Sequence, residues 1–201
     1  MKHPHLAAAV SACLLLAACS ENGGTPPGGV ANPQSGDAGL TPPAVEQPVA
    51  PQPPSGPLFV PSAETQDGLA AKANAGVCSV ENVVIAPDGA AATSDKPNTY
   101  QVTRDAVYRM VGFAVNKDKG IVPADIEIVL TGDKSYALKS TTGGDREDVA
   151  KFFGNPAFGK AGFMQDASFK DVAPGEYAIY VVSSDGGETA VCPTHQGVIV
   201  P

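Results

Sequence analysis

The chain has 201 residues, 13 basic against 21 acidic, a formal net charge of −8, four cysteines and no tryptophan. A balance this acidic argues against polyanionic partners, so nucleic acid is set aside and an anionic lipid surface is disfavoured. No block of like charge is long enough to suggest a dedicated electrostatic site.

Residues 1–5 are short and basic, and residues 6–18 are an uninterrupted run of apolar or small side chains. A charged start, a brief apolar core and small residues before a cut are what the secretion machinery reads. At roughly 1.5 Å per residue the run is too short to cross a hydrocarbon core of about 30 Å. It ends in Leu16-Ala17-Ala18-Cys19, which resembles the lipobox of bacterial lipoproteins. The resemblance implies a signal peptide over 1–18 and a diacylglycerol thioether on Cys19. It also implies acylation (palmitate) of the new amine, so that the protein holds its membrane through lipid alone. Ser20 in place of an aspartate favours the outer membrane in this comparison. A thiolate is the side chain nucleophilic enough to take the lipid, and several acyl chains anchor stably where one is marginal. The alternative is an ordinary secretory peptide with Cys19 incidental. Cys13 leaves with the signal in either case.

A tether is expected over 19–71. Residues 22–61 hold eleven of the 19 prolines and seven of the 22 glycines, with no lysine or arginine. Such a composition cannot bury enough apolar surface to offset its ordering entropy, and a disordered spacer follows. Its forty residues would span from roughly 35 Å as a coil to roughly 120 Å extended. Residues 62–75 suggest at most a weak helical turn.

The remainder, 72–201, has the size of one domain, and its periodicity is that of strands. Residues 80–85 are β-branched and stopped by Pro87-Asp88-Gly89. Residues 107–115 alternate, with Val107, Arg109, Val111, Phe113 and Val115 on one face. Residues 126–130 alternate as well, and the turn 131–134 leads into 135–140 as a hairpin. Residues 177–182 follow Pro174-Gly175, and Asp185-Gly186 signals a primed turn into 189–192. Residues 198–200 close the chain. Six to eight short strands at hairpin spacing with one helical interruption predict a mainly β domain, an immunoglobulin-like antiparallel β-sandwich. The interruption is a two-turn helix over 146–153, with Asp145 as cap, acids in its first turn and Gly154 at its end.

Cys78 and Cys192 remain after processing and lie in the first and near-last strands. In a compartment where disulfides persist, a bridge between them is favoured. The alternative is a metal site with His195 through Cys192-Pro-Thr-His195, but structural zinc needs four ligands and the domain lacks a second His or a further Cys. No metal or cofactor is therefore expected.

Asp171-Val-Ala-Pro-Gly-Glu-Tyr177 resembles the entry to a late strand of immunoglobulin-like bacterial domains, where the tyrosine braces the corner by bonding backbone. The segments 112–116, 146–150, 161–163 and 174–177 together are similar to a β-sandwich module found beside bacterial surface-polysaccharide glycosyltransferases. That module often has Trp where this chain has Phe113. The likeness covers roughly 90 residues of turn and core positions, so it speaks to fold rather than function.

No catalytic set is legible. His195 is the one histidine beyond the signal, and Asp145, Glu147 and Asp148 read as helix-start charges. Phe152, Phe153, Phe158 and Phe163 cluster in sequence around Gly and Pro. They read either as core packing or as an exposed aromatic patch for a partner. The expectation is a non-enzymatic, lipid-anchored envelope module that binds a protein or glycan. The alternative is an accessory subunit or inhibitor of a secreted or envelope enzyme.

Overall fold

Alternation of β-branched and aromatic side chains drives most of this chain into strands. The computed structural model describes residues 55–73, 76–185 and 188–201. The expected signal peptide, Cys19, the tether through residue 54 and the Gly186 turn lie outside the described residues. The elements are β1 (Val60–Ser62), α1 (Gln66–Lys72), β2 (Gly76–Ile85), β3 (Thr99–Gln101) and β4 (Val107–Asn116). They continue with β5 (Asp125–Thr131), β6 (Ser135–Gly144), α2 (Glu147–Phe153), a 3-10 turn (Pro156–Lys160), β7 (Gly162–Ser168), β8 (Gly175–Asp185) and β9 (Glu188–Val200). The domain is mainly β, as expected.

The strands join in the order β2-β4-β7-β6-β5-β8-β9-β3, with β1 added to β6. Strand β6 pairs with β5 through Thr141 and then with β7 at Thr142 and Gly144, so it carries the sheet round a corner. Strand β2, at one end of the path, meets β9, the last strand but one at the other, and the sheet is nearly barrel-shaped. Cys78 on β2 and Cys192 on β9 are joined by a disulfide across that seam, Cα–Cα 6.1 Å. Gln196 sews the same seam with its amide. Its Nε2 donates to Ser79 Oγ at 3.2 Å, and its Oε1 accepts from the Val80 N–H at 3.1 Å. The pairing departs from pure antiparallel order at β3, which runs parallel to β9.

Tyr108, Met110 and Ala114 of β4 face the inner core with Ile126, Ile128 and Leu130 of β5 and Tyr177, Ile179 and Val181 of β8. The β4 face singled out above, with Phe113 and Val115, is the outer one. There α2 and the 3-10 turn cover it with Val149 and Phe158. A second outer cluster sits on the opposite wall, where Leu69 of α1 covers Val129, Tyr180 and Val191. Gly112 is dictated by close approach. A Cβ there would lie 2.0 Å from the Ser79 carbonyl oxygen and 2.6 Å from the Phe163 ring.

Several expectations shift. Residues 58–71, assigned above to the tether, carry β1 and all of α1 but its last residue, with Phe59 and Leu69 buried. Helix α1 has a side-chain cap, Thr65 Oγ1 accepting the Gly68 N–H at 3.1 Å. Strands β3 and β7 were not anticipated, and the segments 189–192 and 198–200 belong to the single strand β9. Helix α2 ends as expected at Gly154 with φ 64°. Its cap residue, however, is Arg146 with no side-chain cap bond, and Asp145 instead pairs with Lys160 at 2.6 Å. At the entry to β8 the Tyr177 hydroxyl donates to the Ala173 carbonyl at 2.8 Å.

Candidate functional site

Cys78 and Cys192 form the expected bridge, and Cys192 is therefore not a metal ligand. Among the described residues no group of three or more His, Cys, Asp or Glu side chains is placed to hold a metal.

The phenylalanine cluster does not form one surface. Phe158 and Phe163 are buried, Phe153 is half-buried, and Phe152 is 84% exposed. Successive helical residues point about 100° apart, so α2 turns Phe152 outward while Phe153 packs edge-on against Phe158, centroids 5.6 Å apart. The patch reduces to Phe152.

His195 is exposed and lies on a distortion of β9. Ala178 pairs with Gly197 and Tyr180 with Pro193, so three residues of β9 stand opposite Ile179 alone. His195 occupies the middle of this bulge at φ 59°, a left-handed conformation that non-glycine residues seldom adopt. The Thr194 hydroxyl holds the bulge by donating to the Ile179 carbonyl at 2.7 Å and accepting the Gln196 N–H at 3.2 Å.

Beside the bulge lies a trough of about 410 Å³ on the outer wall of β5, β8, β9 and β3. Its floor follows from register. Thr131 pairs with Ala178, Ala178 with Gly197, and Gly197 with Thr99. Two small residues thus occupy the middle of a four-strand row, with a hydroxyl at each end. Glu176 and Tyr180, two residues either side of Ala178 on the same face, form the long walls, and His195 and Gln66 of α1 complete the rim. The Thr99 hydroxyl donates to the Pro97 carbonyl at 3.1 Å, and Glu176 pairs with Lys96. Thr131 is 1% exposed, and its Oγ1 has no hydrogen-bond partner. An unpaired buried hydroxyl costs stability, and the Ser140 hydroxyl is in the same state among the described residues.

A separate charged cluster occupies the other wall. Arg146 bonds Glu81 and Asp148, and Arg109 bonds Asp166 at 2.8 Å. The hydrogen bonds of Arg146 hold the Asp148 carboxyl at about 2. Asp166, chiefly, raises the Arg109 guanidinium. These pairs tie β2 to α2 and β4 to β7, which is structural work.

Sequence reasoning weighed His195 and set it aside, and it did not find the trough. Its floor depends on the pairing of four strands, one of them the unanticipated β3. The chain matches no protein-family model and no curated protein.

Proposed function

We propose that the chain is a lipid-anchored protein of the cell envelope, held by lipid on Cys19, whose domain is a non-enzymatic binding module for a protein or polysaccharide partner. The observation that carries this reading is the Cys78–Cys192 disulfide, which closes the sheet across its seam. Such bonds persist outside the reducing cytosol. The Leu16-Ala17-Ala18-Cys19 order and the proline-rich stretch after it supply the export, the anchor (outer membrane by the Ser20 comparison) and the reach. An immunoglobulin-like kinship of the domain is part of the proposal. It is supported by the Tyr177 hydroxyl bonding the backbone four residues upstream, the bracing that such domains use at this corner. The likeness to modules that accompany surface-polysaccharide glycosyltransferases fits the same setting.

The test is metabolic labelling of the producing cell with an alkyne-tagged fatty acid. The wild-type chain is expected to take the label and to partition with membranes, and Cys19→Ser to do neither. An unlabelled wild-type chain, or a mature N-terminus elsewhere than residue 19, overturns the anchor.

A further inference from the structure

We propose that the trough on the outer wall of β5, β8, β9 and β3 is a binding site for a short neutral saccharide. This rests on the reading of the domain as a binding module and names the ligand class and the place.

The floor has a sugar's polarity. Ala178 and Gly197 leave open a strip two strands wide, and Thr131 and Thr99 put a hydroxyl at each end of it. The row covers three strand spacings, roughly 14 Å, so hydroxyls at its two ends suit successive rings of a short saccharide. The Tyr180 and His195 rings and the Gln66 amide line the sides, a mixture of flat faces and neutral donors and acceptors.

The charge balance selects against ions. The one carboxylate of the lining, Glu176, is already paired with Lys96. Its remaining lone pairs accept hydroxyl donors, and the lining holds no lysine or arginine to receive a carboxylate or phosphate. Thr131 supplies the independent sign of a ligand. Its hydroxyl is buried, faces no protein partner and lies in the lining. The atom is closed to solvent as the side chains stand, so a sugar hydroxyl would satisfy it once the residues over the floor shift. The bulge at His195 is the second built feature, since the left-handed residue and the Thr194 bonds hold the rim open.

The experiment is an amide-shift NMR titration of the full lipidated chain in detergent with cellotetraose, chitotetraose and tetragalacturonate, each to 10 mM. Expected is saturable binding of at least one neutral tetrasaccharide, with the largest shifts at Ala178, Gly197 and Thr131. Thr131→Val, which keeps the shape and removes the hydroxyl, is expected to weaken binding at least tenfold while raising the thermal midpoint, and Thr131→Ser to restore binding. Ala178→Phe fills the floor and is expected to abolish binding; should it fail to fold, the Thr131 pair decides. No shift with either neutral sugar, shifts confined to another face, preference for tetragalacturonate, or unaltered binding in Thr131→Val overturns the proposal. Fatty-acid labelling on Cys19 together with any of these results leaves the envelope reading standing and removes the saccharide site alone. Saccharide binding by a chain that takes no label does the reverse.

Discussion

The guanidinium of Arg146 lies over the ring of Phe113, 5.0 Å from its centroid, and from there it bonds Glu81 on β2 and Asp148 in α2. The four bonds are 2.7 to 2.9 Å long. One side chain thereby fixes the helix to the outer face of β4 and to the strand beyond. Both carboxylates are substantially exposed, so solvent screens most of the ion-pair energy. What remains is the stack and the buried stem. Arg146→Ala is expected to cost about 1–2 kcal/mol, read from urea unfolding. Arg146→Lys is expected to recover less than half of that, because an ammonium cannot serve two carboxylates in the fork geometry. Full recovery by lysine would reduce the contact to its charge.

The same cluster sets an acid response. Hydrogen bonds from Arg146 lower the Asp148 carboxyl to about 2 from its ordinary 3.8. A carboxyl depressed in the folded state contributes its full stabilisation above the unfolded value and loses it as pH falls through the folded one. Stability is therefore expected to drop between about pH 4 and pH 2, and the drop to be shallower in Arg146→Ala. Asp105, lowered chiefly by its Thr103 hydrogen bond, adds a slope of the same sign in both proteins. Urea midpoints from pH 5 to pH 2 measure the difference, and identical slopes would remove Arg146 as its source.

Closing the seam constrains a long stretch of chain. The bridged cysteines are 114 residues apart, so replacing both by alanine is expected to cost at most about 4–5 kcal/mol by chain entropy. Gln196 still bonds Ser79 and Val80 in that variant, so the far-ultraviolet circular dichroism is expected to stay that of the wild type under native conditions. A large change in that spectrum would mean that the bridge holds the sheet in shape as well as limiting the unfolded chain.

Two neighbouring phenylalanines separate packing from surface. Phe158 is 2% exposed in the cluster under α2, and Phe158→Ala is expected to cost about 3–5 kcal/mol. Phe152 touches Phe153 edge-on at 4.9 Å but otherwise faces solvent, so Phe152→Ala is expected to change stability by less than about 1 kcal/mol. Denaturant midpoints compare them directly. Equal losses would show the four rings acting as one cluster.

What could be read beforehand follows from how local each signal is. The β5–β6 hairpin, the glycine stop of α2, the cysteine pair and the Tyr177 corner are set by neighbours in sequence or by the scarcity of a residue type. Strand β7 escaped because its inner positions, Phe163, Gln165 and Ala167, are not uniformly apolar, while exposed Met164 and the partner of Arg109, Asp166, stand between them. Its placement is decided across the sheet, with Phe163 lying over Gly112. The trough is less local still. Thr131, Ala178, Gly197 and Thr99 are ordinary residues, brought into one row by three separate pairings.

The domain starts earlier in the chain than its composition suggests. Between prolines, Leu58-Phe59-Val60 reads as linker, yet Phe59 stacks on Phe169 at 5.1 Å between centroids, and β1 pairs with β6. Leu69 then covers Val129, Tyr180 and Val191. A chain that begins at residue 72 loses a ring from the inner core and uncovers an apolar wall. It is expected to bind hydrophobic dyes, aggregate and unfold without a sharp transition, whereas a chain that begins at residue 55 keeps the full-length midpoint. Leu69→Ala alone is expected to cost about 2–4 kcal/mol, the lost transfer energy plus the cavity left under α1. Cooperative unfolding of the 72–201 fragment at the full-length midpoint would return residues 55–71 to the tether.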